Sequence, residues 1–381
     1  MTRRVLFTDF YDFVGGGQQN LLSVFKALDR KRWQPLLALP REGAFADAAR
    51  ALKVPVFVTP MGKARWRLPW QAYPAMRRLR RLMREQSIDL VHSNDYPSHK
   101  LAVVAARGLG LPVVYHQQIA VTQSPRSTTG RLMRHHIAKA DLVLAVSRNS
   151  REALAALGLP AAKLRLLYNN ADTEALGRAK PVPPRRLRAL GIPAGRPLLL
   201  AAGMRRPHKG FEVLLRALDL YYASGKVKAH SVLLGDTANA EPAHENQLKA
   251  LAGAPGLQGH LSVLPAQRPF APWLKSADLF VSSSYWEGSP LVVLEAMAAG
   301  KAILATRQGA GEVIEDGRSG WLVDAGDPEA MAQGLRVLMG DAGLRRRLGR
   351  EARRQAVARF SLKSYVRDLA GHYDTLVGAG G

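Results

Sequence analysis

The chain has 381 residues, 47% hydrophobic and 22% charged, which excludes intrinsic disorder and suggests two domains at about 100–200 residues each. Cysteine is absent, which excludes disulfides and thiolate metal sites and fits a reducing cytosol. A net charge of +25 requires an anionic partner (nucleic acid, anionic lipid or a phosphorylated substrate), and it is uneven: 29 Lys/Arg against 12 Asp/Glu in residues 1–180, 26 against 18 beyond.

The opening MTRRVLFTDFYDF has no continuous apolar core of signal-peptide length, and no run approaches the roughly 18–20 apolar residues that cross a bilayer. A soluble, cytoplasmic protein is expected. Short β-branched or Leu-rich runs then alternate with helical patterns, as parallel βαβ units require. The first half predicts strands at Arg4–Phe10, Gln34–Leu39, Val54–Thr59, Leu90–Ser93, Pro112–His116, Leu142–Ser147 and Leu164–Tyr168. The second predicts Pro197–Gly203, Ser231–Gly235, Leu261–Leu264, Leu279–Ser284, Ala302–Thr306 and Trp321–Val323. Between them RAKPVPPRRLRALGIPAGRP, 178–197, has the Pro, Gly and Arg content of a linker, so the chain divides near 180. The expected organisation is α/β: a domain of 1–180, a domain of 181–361, and a terminal helix within 362–381 packing back on the first. Two doubly wound halves with one hinge would place a ligand cleft between them, at the carboxyl ends of the strands.

Several stretches carry chemistry. FVGGGQQN, 13–20, follows the first strand; Asn20 stands where a dinucleotide fingerprint needs its third glycine, so Gly15, Gly16 and Gly17 read as a phosphate-approaching loop or a tight turn. KARWRLPWQAYPAMRRLRRLMREQ, 63–86, interleaves Trp66, Trp70 and Tyr73 with Arg65, Arg67, Arg77, Arg78, Arg80, Arg81 and Arg84. Met76, Leu79 and Met83 share one helical face there, which either packs on its own sheet or lies on anionic lipid; the tryptophans and the one-sided charge favour lipid. His92 and Asp95 in HSNDYPSH are candidates for an acceptor side, and His116 closes the strand PVVYH at a carboxyl end.

In YWEGSPLVVLEAMAAGK, 285–301, a buried strand is followed by an exit loop and a helix apolar nearly all round. Ser289 reads as its N-cap, Pro290 as its first residue and Gly300 as its end. That helix start offers unpaired N–H groups of Gly288 to Val292 to a phosphate. Glu287 lies at its mouth, and Glu295 about one and a half turns along, where a carboxylate can accept two hydrogen bonds from a ribose diol.

EGSPLVVLEAMAAG, 287–300, resembles the donor-binding motif of the retaining family 4 of glycosyltransferases (glycosyl transferases group 1), matching every fixed position of its E-G-x-x-L-x-x-L-E-A-M-A-x-G frame. The resemblance continues in KAILATRQGAGEVIEDGRSGWLVDAGDPEAMA (301–332), GMRRPHKGFEVLLRAL (203–218) and LLYNNADTEAL (166–176), covering most of the C-terminal half and, more weakly, the N-terminal half. It implies the GT-B fold: two Rossmann-like domains facing each other across a cleft, the first binding acceptor and membrane, the second the nucleotide sugar.

The resemblance also implies roles. Glu295 holds the ribose of a nucleoside-diphosphate sugar, Glu287 lies against the hexose, and the backbone of Gly288, Ser289, Pro290 and Leu291 surrounds hexose and phosphate. Lys209 fits one half of a basic diphosphate clamp. The family's arginine position holds Met204, so Arg205 or Arg206 takes that part. Gly16 and Gly17 lie near the donor phosphates, and His116 positions the reacting hexose. Membrane-active members use a similar basic region, which makes Trp66, Trp70, Arg77, Arg78, Arg80, Arg81 and Arg84 the membrane-binding set. Retention of configuration comes from the resemblance alone. The expected enzyme is thus a metal-independent hexosyltransferase without a cofactor. Its acceptor is lipid-linked or a lipopolysaccharide saccharide, and it sits peripherally on the inner face of the membrane. No Asp-x-Asp motif or ligand spacing points to a metal. Two other readings compete. A basic nucleic-acid binder leaves the two glutamates unexplained and has no recognisable motif. A GT-B epimerase or hydrolase would act on the sugar nucleotide without an acceptor.

Overall fold

The computed structural model describes residues 2–61, 72–121, 123–193, 195–223, 229–236 and 241–378. Trp66 and Trp70 lie outside the described residues. The chain divides into two compact units, 1–169 with 362–381, and 170–361. The dividing point is Asn169/Asn170 rather than residue 180, and the stretch expected as linker contains a helix, Pro184–Ala189.

The first unit holds β1 (Arg3–Thr8), β2 (Trp33–Leu39), β3 (Val56–Val58), β4 (Leu90–Ser93), β5 (Val113–Gln117), β6 (Leu142–Ala145) and β7 (Leu164–Leu166). They form one parallel sheet in the order β3-β2-β1-β4-β5-β6-β7. Both faces are covered. Successive residues of β1 send Leu6 into one core and Val5 and Phe7 into the other, which is why these strands read as continuous apolar runs. The second unit holds β8 (Leu198–Met204), β9 (His230–Asp236), β10 (Leu261–Pro265), β11 (Leu279–Ser282), β12 (Ala302–Thr306) and β13 (Trp321–Val323). Its parallel order is β10-β9-β8-β11-β12-β13. Each sheet reverses direction once, between β1 and β4 and between β8 and β11. In open parallel sheets the reversal leaves a crevice beyond the strand ends, and ligands bind there.

The helix Leu362–Gly378 packs on the first unit. Tyr365 and Tyr373 are buried in its core, and the Tyr373 hydroxyl lies 2.6 Å from Nδ1 of His92 on β4. Asn20 Nδ2 donates both to the Tyr365 hydroxyl (3.1 Å) and to Oδ1 of Asn169 (2.9 Å).

The helix Tyr73–Glu85 corrects part of the lipid reading. Ala75, Leu79, Leu82 and Met83 are buried in the first unit's core and Met76 packs against it, because an apolar stripe beside an uncovered sheet face is sealed most cheaply by that sheet. Arg80 turns inward: Nη2 donates to the Val104 carbonyl at 3.3 Å, and its guanidinium lies over Gly108, where a Cβ would come within 2.3 Å of Nη2. Arg77, Arg78, Arg81 and Arg84 are exposed, with Arg78 bonded to the Pro60 carbonyl and Arg81 paired with Glu85 at 2.6 Å. Among the described residues, no helix is long and apolar enough to cross a membrane.

Candidate donor and sugar-positioning sites

In the second unit the loops leaving β8 and β11 are knitted together. Tyr285 N donates to the His208 carbonyl (2.8 Å) and Ser283 Oγ to the Lys209 carbonyl (2.9 Å). These bonds end β11 at Ser282, two residues before the strand expected from sequence, because the backbone beyond it is claimed by the neighbouring loop. Gly210 makes the contact possible: its φ is +61°, and a Cβ there would lie 2.2 Å from the Ser283 carbonyl oxygen. The joined loops carry the two residues whose side chains meet. Lys209 Nζ lies 2.5 Å from Oε1 of Glu287, which also accepts from Ser284 Oγ at 2.7 Å. Both members of this pair are mostly screened from solvent, 15% and 11% exposed, so the attraction is stronger than at an open surface.

The helix after this loop is Leu291–Ala298, and Pro290, not Ser289, occupies its N-cap position without a side-chain cap. Ser289 Oγ is buried without a partner. The reason is local: Pro290 adopts ψ of 89°, so the first helical turn begins one residue later than expected and the serine hydroxyl is out of register with the amides it would cap. The N–H groups of Gly288, Ser289, Leu291 and Val292 consequently have no protein acceptor among the described residues. This is the unfilled set of donors that a helix start presents to an anion. Glu295 lies along the helix. Burial pushes its carboxyl up to about 7, with Arg268 pulling the other way.

The two arginine candidates separate. Arg205 pairs with Glu245 of the helix Pro242–Ala252 at 2.5 Å and lies across Gly235 of β9. Arg206 makes no ion pair among the described residues, and its Nε is buried without a partner. The sequence contains both arginines but not the identity of Glu245 as a partner, since a contact across the fold has no local signal.

In the first unit the helix Gly16–Ala27 starts within the glycine run, with Gly15 at its N-cap and Gln18 Oε1 accepting from Gly15 N at 3.2 Å. Gly16 and Gly17 therefore form its first turn. Beneath them lies Asp9, fully buried just beyond β1, accepting from Gln18 Nε2, from Asn94 Nδ2 (2.7 Å) and from Tyr11 N (2.9 Å). Asp95 accepts from Phe10 N and Ser98 N. Burial raises both carboxyls, Asp95 well above its ordinary range, and the proximity of Asp9 pushes Asp95 further. A space beside Gly17 is taken by Gln118, whose Nε2 bonds Asn94 Oδ1 (2.9 Å) and approaches His116 Nδ1 (3.2 Å). His116 thus joins Gly16 and Gly17 in one cluster. It is buried, and burial brings its pKa down to about 3, so its imidazole is neutral at physiological pH. Nε2 of His116 and Oε1 of Gln118 are buried without partners. Sequence reading passed over Asp9, Asn94 and Gln118; a buried acid just past the first strand, beside the glycine run, was the available signal for Asp9.

No group of three His, Asp or Glu side chains among the described residues is placed to hold a metal ion.

Two parallel sheets, each with a polar cluster at its reversal point, define a two-domain α/β protein of the doubly wound class. The chain matches the family models for glycosyl transferases group 1 over residues 184–355 and for glycosyltransferase family 4 over 14–175. It is 30% identical over 315 residues to the D-inositol 3-phosphate glycosyltransferase of Arthrobacter sp. (strain FB24), covering 76% of this chain and 72% of that one. It is 31% identical over 173 residues to the lipopolysaccharide core biosynthesis glycosyltransferase LpsE of Rhizobium meliloti (strain 1021), covering 45% of this chain and 48% of the relative. The chain spans 61% to 72% of the D-inositol 3-phosphate glycosyltransferases it matches. Its fold superposes on Anabaena Alr3699/HepE, solved in complex with UDP-glucose, with a TM-score of 0.84 at 23% identity, covering 98% of this chain and all of that one. The chain belongs to glycosyltransferase family 4 and has the GT-B fold.

Proposed function

We propose that the protein transfers a hexosyl group from a nucleoside-diphosphate sugar to a saccharide acceptor, lipid-linked or of the lipopolysaccharide and cell-envelope type, with retention of configuration. One observation carries the donor half: the helix start at Gly288–Val292, with its unfilled amides, lies directly beside the Lys209–Glu287 pair. A departing nucleoside diphosphate gains negative charge, and fixed N–H groups with an ammonium stabilise that charge without reorganising. Lys209 and Arg206 form the cationic clamp in this reading, since Arg205 is committed to Glu245. No divalent ion is invoked. Glu287 contacts the hexose and Glu295 the ribose hydroxyls. In the first unit, Gly16 and Gly17 approach the phosphates and neutral His116 offers Nε2 to a sugar hydroxyl. The relative named for lipopolysaccharide core biosynthesis supports a saccharide acceptor.

The deciding experiment is a thermal-shift and slow-hydrolysis screen against a panel of nucleotide sugars, with Glu295→Ala alongside. The reading expects one donor to raise the Tm of the wild type and not of the variant. Equal responses, or none, would refute it. We also propose peripheral attachment to the inner face of an anionic membrane. It is purely electrostatic for the described residues, through Arg77, Arg78, Arg81 and Arg84, because the helix's apolar stripe is already buried.

A further inference from the structure

Next to Lys209 and Glu287 in the chain stand His208 and Trp286, and their rings stack, with centroids 4.7 Å apart and planes 23° from parallel. Trp286 is 46% exposed, so one face of its ring is open to a ligand. The stack forms one wall of an open cavity of about 500 Å³, whose other walls include Arg206, Glu212, Glu241 and Tyr285. That volume lies in the range of small-molecule sites. Glu212 Oε2 and Arg206 Nε are buried there without partners.

We infer that this cavity is a subsite for a neutral pyranose. A pyranose has an apolar C–H face that packs on the flat Trp286 ring, and a rim of hydroxyls that both donate and accept. Two carboxylates and a guanidinium supply the complementary acceptors and donors. Charge separates this ligand from a phosphate. His208 is held below its ordinary pKa by burial and by Lys209, which leaves Glu212 and Glu241 against Arg206, or unopposed when Arg206 serves the diphosphate. Neither balance attracts an anion. Trp286 precedes the glutamate assigned to the hexose, while the ribose residue is nine positions beyond Trp286, so the cavity adjoins the sugar end of the donor site. That its occupant is the acceptor's sugar rests on the proposed function; the subsite itself does not.

Saturation-transfer NMR on the full chain, with methyl α-glucoside, methyl α-mannoside, methyl α-galactoside and methyl N-acetyl-α-glucosaminide as probes and saturating UDP present, tests this directly. At least one glycoside should bind the wild type. Trp286→Ala should weaken it about ten-fold, the loss expected for one aromatic platform, and Glu212→Gln should weaken it as well. UDP-induced thermal shift should be unchanged in Trp286→Ala, which also reports that the variant is folded. No glycoside signal from the wild type, or a signal that survives in Trp286→Ala, would overturn the subsite. If neither UDP nor any other nucleoside diphosphate binds the wild type, the donor reading fails instead, and the glycoside result still stands on its own.

Discussion

Lys209 Nζ and Glu287 Oε1, 78 residues apart in sequence, meet at 2.5 Å because the loops after β8 and β11 are bonded backbone to backbone. A charged pair so placed makes each partner the condition of the other's position. Glu287→Gln and Lys209→Met should each lower kcat/KM by about 10²–10³-fold. The double variant should lose little more than the worse single one, since residues in one network are not additive. Full additivity in steady-state kinetics would show that the two groups act separately.

Glu295 provides a pH signature. Its carboxyl sits at about 7 in the folded chain against an ordinary 4.5, so the folded state prefers the protonated form. The stabilisation this brings is full below the ordinary value and is lost as pH rises through about 7. Glu295→Gln should therefore raise the unfolding free energy from urea denaturation at pH 8 relative to wild type, by an amount on the order of 1–3 kcal/mol, and change it little at pH 5. Nucleotide affinity should run the opposite way, increasing with pH through the same window as the carboxylate forms to accept the ribose hydroxyls. Isothermal titration with UDP from pH 5.5 to 8.5 measures it, and a flat profile in the wild type would count against Glu295 as the ribose ligand.

Asp9 and Asp95 titrate as a buried pair with both carboxyls raised. The same sign applies: their contribution is present at low pH and fades as pH rises through the raised values, because burial disfavours both carboxylates and the Asp9 charge adds to this at Asp95. Asp95→Asn removes the second buried charge but gives up one of the two backbone bonds from Phe10 and Ser98, a loss of about 1 kcal/mol. Denaturation of this variant should show a weaker dependence on pH than the wild type. An unchanged slope would mean that the two carboxyls do not titrate together.

The basic helix separates two kinds of arginine. Replacing Arg77, Arg78, Arg81 and Arg84 by serine should weaken pelleting with vesicles of anionic lipid, with an effect that shrinks as salt rises. Tm should hold. Arg80→Ala should do the reverse, lowering Tm by removing the bond to Val104 and the cover over Gly108, with little effect on vesicle binding. Equal pelleting with neutral and anionic vesicles would argue against an electrostatic membrane face.

The strands were legible because periodicity is local. Leu90–Ser93, Ala302–Thr306 and Trp321–Val323 coincide with the expected runs residue for residue, and the other ten strands fall on theirs with shifted ends. The ends moved where a side chain or a neighbouring loop took over the backbone, as Asp95 does for Phe10 and the Lys209 loop does beyond Ser282. The glutamate frame was equally plain, since a helix start, its acid and its glycine end occupy one short stretch of chain.

By itself, the sequence determined two parallel α/β halves and the family they belong to. Tertiary structure decided the pairings. It gave Arg205 to Glu245 and left Arg206 without an ion-pair partner among the described residues. It turned Arg80 and the apolar stripe of its helix inward. It placed His116 in one cluster with the glycine run and Asp9, and it made Trp286 and His208 a single platform. Strand and helix signals depend on neighbours two to four residues away, whereas a salt bridge or a stacked pair depends on which strand ends the sheet order brings together. Reversal of that order between β1 and β4, and between β8 and β11, is what converts scattered polar residues into sites.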